Sequence, residues 1–178
     1  GAQAFRLEFA PRTEQARGGC EDADPASVAE RWRTLARRNA RGSDIFVRFT
    51  PDEANRVEPV AMIDDLDEQA VQRLAADYPV AAVVETSPDR YQAWLRLGDD
   101  LIDRDQLGAM RRHLAEQYGG DPDAARAPDP AGRLPGFTNR KPERAQGDQA
   151  PFAVLRHGSG ATLDAEERAM LTARGVVH

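Results

Sequence analysis

The sequence predicts an α+β fold in which a largely antiparallel sheet packs against helices. Short apolar runs rich in strand-forming residues alternate along the chain with segments whose apolar residues recur at helical spacing. Two of the apolar runs, 81–85 and 91–97, flank a tight polar turn and predict a hairpin. Because a hairpin joins antiparallel strands, this pattern argues against a doubly wound parallel sheet.

The N-terminal part is predicted as a strand, a loop and a helix. Apolar and charged residues alternate over 5–9, which is typical of a half-buried strand. The residues after this strand are predicted as loop up to Asp24, which together with Pro25 gives a helix start signal, and Gly42 offers the stop. The apolar positions of this helix are Val28, Trp32, Leu35 and Ala36.

The opposite face of the same helix is basic. It carries Arg31, Arg33, Arg37, Arg38 and Arg41. Two interpretations stay open, namely a solvated helix surface and a stripe that faces the phosphates of a nucleic acid.

The middle of the chain continues with two strands and a helix. Strands are predicted over 45–49 and 59–63 because both runs are apolar and rich in strand formers. The helix that follows the second strand has Val71 and Leu74 as its apolar positions.

A further helix is predicted after the hairpin. Residues 107–118 carry apolar side chains on one helical face, and two consecutive glycines end the helix. Residues 121–150 are rich in Pro, Gly, Asp and Arg and are predicted as loop. A last strand over 152–155 precedes a charged helix that begins near Asp164.

Composition narrows the class of protein. A chain of 178 residues with 40% hydrophobic content predicts a single domain with one sizeable core. The single cysteine, Cys20, excludes an internal disulfide and a multi-cysteine zinc module. No apolar run approaches the length of a membrane span, so we expect a cytoplasmic protein without a membrane partner. The net charge of −6 means that any nucleic-acid contact has to come from a local basic patch.

Three aspartates in four residues, Asp64, Asp65 and Asp67, follow the strand predicted over 59–63. Like charges at close range raise one another's pKa, and a divalent cation resolves that conflict. Oxygen ligands suit Mg²⁺ or Mn²⁺, which stabilise phosphoryl transfer. Asp121 is a candidate for a further ligand. In the alternative, Asp67 caps the next helix, and Asp64, Asp65 and Asp121 are turn residues.

Two further segments carry groups that could bind phosphates. The hairpin loop, 85–92, offers a serine hydroxyl, backbone N–H groups and a side-chain amide, although a plain turn has the same composition. The segment 133–142 places three cations, an amide, a hydroxyl and an aromatic ring within ten residues. It is either the basic patch that the net charge requires or a surface loop without a function.

The chain resembles the RepB-type DNA primases of plasmids and mobile elements, a branch of the archaeo-eukaryotic primase superfamily. The resemblance lies in three strings that occur in the order IDDLD, VETSPDRYQAW and GRLPGFTNRKP. It extends upstream to RRNARGSDIFVRF and, more loosely, to FRLEFAPR, and so covers most of the chain. It implies an archaeo-eukaryotic primase-like catalytic core.

The resemblance also implies site residues. The adjacent aspartates of the family fall on Asp64 and Asp65, and the distal aspartate falls on Asp121, as ligands of Mg²⁺ or Mn²⁺. Ser87 takes the position of the serine that flanks the nucleotide phosphates, and Gln92 stands where a histidine is usual, so acid–base chemistry is not expected there. The basic segment falls on residues assigned to triphosphate or template contact: Arg133, Asn139, Arg140 and Lys141.

The implied function is primer synthesis on single-stranded DNA by metal-dependent nucleotidyl transfer in plasmid or mobile-element replication. The expected partners are the DNA template, nucleoside triphosphates and a helicase or relaxase of the same replicon. Residues 1–163 are predicted to form the catalytic domain, and 164–178 to begin a truncated C-terminal helical region. Two alternatives stay open, a catalytically silent module that binds single-stranded DNA and a nuclease that uses the same metal chemistry.

Overall fold

The computed structural model describes residues 5–176 as an α+β fold, as predicted. The helices are α1 (Pro25–Ala40), α2 (Glu68–Asp77), α3 (Arg104–Tyr118), α4 (Pro122–Arg126) and α5 (Ala165–Val176). The strands are β1 (Phe5–Pro11), β2 (Gly19–Ala23), β3 (Ser43–Arg48), β4 (Arg56–Val57), β5 (Val60–Leu66), β6 (Ala82–Ser87), β7 (Arg90–Arg96), β8 (Ile102–Asp103), β9 (Gly132–Arg133) and β10 (Val154–Gly158). A single 3₁₀ turn spans Pro142–Arg144 within the described part.

The strands form two four-stranded sheets and a short two-stranded one. The strand order is β2-β1-β3-β9 in the first sheet and β10-β6-β7-β5 in the second, while β4 pairs with β8. Every pairing between these strands is antiparallel, which confirms the predicted pairing. The predicted hairpin is β6 and β7, and its turn is tighter than expected, since Ser87 already pairs with Arg90.

Two separate clusters of buried apolar side chains lie under the sheets, where one core was predicted. The smaller cluster joins the first sheet to α1 through Leu7, Leu35 and Ile45. The larger cluster joins the second sheet to the helices α2, α3 and α5, and Leu171 of α5 is fully buried in it. The prediction of one core was wrong because each sheet covers its own apolar face with its own helices.

Two predictions in the N-terminal part were wrong. The segment predicted as loop contains β2, whose sequence GCEDA lacks apolar alternation and which is held as an edge strand by its ladder with β1. Trp32, predicted on the buried face of α1, is 50% exposed and packs at a tilt against Phe137. The start of α1 is confirmed, because Asp24 and Ser27 form a capping box.

The remaining predicted elements are present with shifted ends. The segment 121–150 also contains α4 and β9, which are too short to leave a periodic signal. No helix within residues 5–176 is long and apolar enough to cross a membrane.

Candidate active site

Two aspartates of the acidic cluster, Asp64 and Asp65, lie inside a strand, whereas the third, Asp67, follows the strand and caps α2. β5 continues to the buried Leu66, which pairs with Tyr91 of β7, and the register shifts between Ile63 and Leu66. This irregularity is a bulge that contains Asp64 and Asp65, and Asp65 has a left-handed backbone with φ of 59°. The strand end predicted at residue 63 was wrong, because β5 stays paired with β7 as far as Leu66 although Asp64 and Asp65 are polar. In a regular strand, consecutive side chains point to opposite faces of the sheet. The bulge interrupts this alternation at Asp64 and Asp65.

Asp64 is partly buried. Its Oδ1 accepts hydrogen bonds from Nε2 of Gln92 at 3.0 Å and from the backbone N–H of Asp65 at 2.8 Å. Burial raises the pKa of Asp64 above its usual range, and the negative charge of Asp65 acts in the same direction. The two hydrogen bonds and the positive charge of Lys141 offset only part of this increase. An ionised Asp64 therefore favours a cation beside it.

The raised pKa of Asp64 predicts how stability depends on pH. Between the pKa of the unfolded chain and the higher pKa of the folded chain, the folded state binds more protons. The free energy of unfolding should therefore fall as pH rises through that interval. Asp64→Asn keeps an oxygen acceptor for Gln92 but cannot titrate. Urea unfolding across this pH range in metal-free buffer should show the extra fall in the unaltered chain and not in the variant; identical pH profiles would contradict the prediction.

The side chain of Asp65 is 40% exposed and lies between two arginines. Its carboxylate lies 3.6 Å from Nη1 of Arg90, at the hairpin turn, and 3.6 Å from Nη2 of Arg144, in the 3₁₀ turn. These separations are long for direct ion pairs, and exposed pairs of this kind contribute little to stability. Asp65 can therefore exchange these partners for another cation at a small cost.

Asp121 reaches the site through its backbone. Its N–H donates to the carbonyl oxygen of Asp64 at 2.9 Å, while its carboxylate caps α4 by accepting from the N–H of Asp123 at 2.8 Å. Gly120 permits this approach, because a Cβ at that position would lie 2.5 Å from Cγ2 of Ile63. Asp121, predicted as a further metal ligand, is thus fixed beside the acidic bulge by its backbone.

Gly120→Ala should separate the Asp121 loop from β5. The added methyl group overlaps Ile63 and lies 3.1 Å from the carbonyl oxygen of Asp64, so we expect a loss of about 1–3 kcal/mol in unfolding free energy. Urea denaturation measures this loss. The matched control is Gly119→Asn, since Gly119 is a left-handed helix cap with open space around it, where Asn is tolerated. Equal stabilities of the two variants would contradict the close-approach argument.

Gln92 joins the acidic bulge to the basic segment. Its side chain is 3% exposed; Nε2 donates to Asp64, and Oε1 accepts from the backbone N–H of Arg133 at 2.8 Å. A histidine in neutral form could donate to one of these partners and accept from the other, but its proton would be labile. The amide holds both partners at every pH near neutrality.

The basic segment is anchored by a buried aspartate that sequence reasoning missed. Asp44 is fully buried, and its carboxylate accepts from Nη1 of Arg133 at 2.6 Å, from Nε of Arg12 at 2.9 Å and from the N–H of Arg140 at 2.7 Å. Burial alone would raise the pKa of Asp44, but the hydrogen bonds and charge of Arg133 hold it below its usual range. An acid directly before the apolar run 45–47 was the available signal.

The other predicted nucleotide-binding residues lie around this junction. The Arg133 side chain is 4% exposed and directed to Asp44, so in the structure it positions the segment. Asn139 is buried and donates from Nδ2 to the carbonyl oxygen of Thr86 at 2.9 Å, which ties the segment to the hairpin. Ser87 is buried at the turn, whereas Arg140 and Lys141 are partly exposed. The phosphate-binding roles of all these residues stay predictions.

The donor types fit a hard divalent cation, since aspartate oxygens are the ligands that Mg²⁺ and Mn²⁺ prefer. Within residues 5–176, however, no three acidic, histidine or cysteine side chains are grouped closely enough to hold a metal ion. Asp64 and Asp65 are neighbours in the bulge, and the carboxylate of Asp121 is engaged at α4. The third ligand would have to leave its helix cap, which costs about 1 kcal/mol.

Comparison with known proteins gives a consistent family. The model of the RepB DNA-primase N-terminal domain matches residues 6–168. Mobilization protein A of Escherichia coli is 37% identical over 142 residues, which are 79% of this chain and 19% of that protein. A DNA primase of Acidithiobacillus ferrooxidans is 32% identical over 128 residues, which are 70% of this chain and 34% of that protein. The chain thus spans about a fifth of the length of the mobilization protein and about a third of the length of the DNA primase.

A solved structure agrees with the fold. The catalytic domain of primase RepB′, crystallised in complex with initiator DNA, superimposes with a TM-score of 0.80 at 31% identity. The match covers 99% of this chain and 87% of that one. The predicted primase-like core is therefore confirmed as a fold.

Proposed function

This chain belongs to the RepB DNA-primase N-terminal domain family, and on that premise we propose that it is the catalytic domain of a DNA primase. It makes short primers on single-stranded DNA by metal-dependent nucleotidyl transfer during replication of a plasmid or mobile element. The observation that carries the proposal is the junction at Gln92. There the hairpin holds Asp64 of the acidic bulge through one amide atom and Arg133 of the basic segment through the other.

Asp64, Asp65 and, once released from its helix cap, Asp121 would hold Mg²⁺ or Mn²⁺, which would stabilise the charge of the phosphates and lower the pKa of the attacking 3′-hydroxyl. The residues of the chain orient the reactants. Lys141 and Arg140 neutralise phosphate charge, and Ser87 lies at the turn that faces the triphosphate. In-line attack of the 3′-oxygen on the α-phosphorus forms the new phosphodiester bond and breaks the bond to pyrophosphate, which leaves.

The partners follow from the same proposal. The RepB′ catalytic domain is described in complex with initiator DNA, which supports a single-stranded template as partner for this chain. The similarity to a mobilization protein supports a relaxase-linked context in the same replicon. Nucleoside triphosphates are required as substrates. A helicase partner stays a prediction from the family resemblance.

A second candidate is a catalytically silent module that binds single-stranded DNA. The engagement of the Asp121 carboxylate at α4 favours it, because only Asp64 and Asp65 are then adjacent. The raised pKa of Asp64 argues the other way, since a DNA-binding surface gains nothing from a carboxylate that is costly to ionise.

The test is primer synthesis by this chain on single-stranded DNA with labelled nucleotides and either Mg²⁺ or Mn²⁺, at a stated salt concentration. Product that depends on the metal and disappears in Asp65→Ala is the expected result. The unaltered chain should also bind the metal less tightly as pH falls, because protons compete for Asp64. If the chain binds DNA but makes no product and shows no metal-dependent nucleotide binding, the catalytically silent DNA-binding module becomes the better account of its function.

A further inference from the structure

A basic cleft lies beside the site, between the segment 12–17 and the C-terminal half of α1. It consists of two adjoining cavities of about 510 and 350 Å³, whose walls share Gln15 and Arg41. We call it the α1 cleft. Arg12, Arg140 and Lys141 line the first cavity, and Arg17, Arg37 and Arg38 line the second. The proposed chemistry at the acidic bulge does not use the second cavity.

Several of these cations lack a side-chain partner in the described part of the chain. Among residues 5–176, the side chains of Arg17, Arg37 and Arg41 form neither an ion pair nor a hydrogen bond with another side chain. Arg41 caps the C-terminus of α1 four residues after Arg37, and like charges at that spacing repel each other. Asp148 is the carboxylate that lines the first cavity, and no carboxylate lines the second among the described residues.

The helix dipole of α1 accounts for only part of this positive charge. The C-terminus of a helix favours cations, which is sufficient reason for a basic last turn on α1. It does not explain why Arg12, Arg17, Arg140 and Lys141 converge from other segments in a chain of net charge −6. Arg31 is different from its neighbours on α1, since it forms an ion pair with Glu21.

The cleft is continuous with the candidate active site. Asp44 accepts from Arg12 and from the backbone of Arg140, so the buried carboxylate that orients Arg133 also fixes two walls of the first cavity. Lys141 lines this cavity and lies close enough to Asp64 to influence it electrostatically. The positive surface therefore begins at the acidic bulge and extends to the end of α1.

The α1 cleft extends over two cavities lined by cations, and this length favours a polymer with several phosphates as the ligand. A nucleoside triphosphate at Arg140 and Lys141 accounts for the cations at one side of the first cavity, and it leaves Arg17, Arg37 and Arg38 of the second cavity without a ligand. A strand with regularly spaced phosphates can run along the second cavity and past Arg41, which lines both cavities, towards the nucleotide, and arginine donors match phosphate oxygens. We propose that the α1 cleft binds the phosphate backbone of the single-stranded DNA template. This inference rests on the proposed function and adds to it the path of the template.

The test compares two double variants of the whole chain with the same change of charge. Arg37→Gln/Arg41→Gln removes cations from the cleft, and Arg73→Gln/Arg174→Gln removes exposed cations from α2 and α5. Fluorescence anisotropy measures binding of a labelled single-stranded oligonucleotide over a series of salt concentrations, without metal ions or nucleotides. Urea unfolding verifies that both variants are folded.

We expect the cleft variant to bind roughly tenfold more weakly and to lose about 1.4 from the slope of log affinity against log salt, which corresponds to two phosphate contacts. The control should keep the slope of the unaltered chain. Equal affinities and slopes for the two variants would overturn the inference. A separate titration with a nucleoside triphosphate and Mg²⁺ gives the other contradicting outcome: a cleft variant that binds DNA normally but has lost nucleotide affinity, since the cavity would then hold the nucleotide.

The two proposals fail separately. The binding measurement contains no polymerisation step, so an unaltered chain that makes no primer counts against the proposed function alone. If the unaltered chain makes primers but the Arg37→Gln/Arg41→Gln variant binds DNA as tightly as the unaltered chain, that result counts against the α1 cleft alone.

Discussion

Asp64→Asn is expected to reduce primer synthesis by about a thousandfold, which corresponds to about 4 kcal/mol of lost transition-state stabilisation. The substitution removes the carboxylate whose ionised form is disfavoured by burial and by Asp65, and which a bound cation would therefore stabilise most. The fold should survive, because Asn still accepts from Gln92 and from the N–H of Asp65. Removing a buried charge also relieves the desolvation that raises the pKa of Asp64. Primer yield and urea unfolding of the same preparation measure both effects.

Asp67→Asn is the matched control for this experiment. Asp67 belongs to the same acidic cluster, but its carboxylate caps α2 by accepting from the N–H of Ala70 at 2.7 Å. Asn is an equally good capping residue, so both stability and primer synthesis should be kept. A folded Asp64→Asn variant that keeps more than roughly a tenth of the activity would contradict the assignment of Asp64.

Arg133→Met should lower the free energy of unfolding by about 3 kcal/mol or more. The substitution leaves the fully buried carboxylate of Asp44 without its principal partner, and Arg12 is the remaining side-chain donor. The desolvation of Asp44 is then offset only by Arg12 and by the backbone N–H of Arg140. Urea denaturation gives the change directly. Arg126→Met, which removes a well-exposed ion pair with Asp123, should cost at most about 1 kcal/mol.

A double-mutant cycle separates this ion pair from general packing. In Asp44→Asn/Arg133→Met no fully buried charge remains, since Arg12 is partly exposed, so the double variant should lose less stability than the two single variants added together. We expect a coupling of about 1–3 kcal/mol. Additive losses would show that the pair does not act as a unit, and that Arg133 stabilises the chain mainly through its contact with the ring of Phe46.

The predicted site depended on family resemblance more than on spacing. The aspartates of IDDLD permitted two local interpretations, a metal site and a helix cap, and the structure contains a clear cap at Asp67. Their place in a bulge could not be predicted, because a bulge is produced by the pairing of β5 with β7. Asp121 was assigned by resemblance, and its position depends on the absence of a side chain at Gly120.

The missed features share one physical cause. β2 has no strand signal of its own and is held by the ladder with β1. Trp32 lies at a helical position that usually faces a core, but the small cluster under the first sheet is filled without it. Asp44 gave no local sign of its partners, because Arg12 and Arg133 are distant in sequence. Each feature depends on a contact with a residue distant in sequence, and the local pattern of apolar residues carries no information about such contacts.

The sequence by itself determined the α+β class, the order of most helices and strands, and the family, since these follow from hydrophobic periodicity, caps and turn residues and from three ordered motifs. Only the tertiary structure decided which polar groups meet. Gln92 joins Asp64 to Arg133, and Asp44 joins Arg133 to the walls of the α1 cleft. The reason is that a buried polar atom must find a hydrogen-bond partner, and the fold alone determines which partner lies within reach.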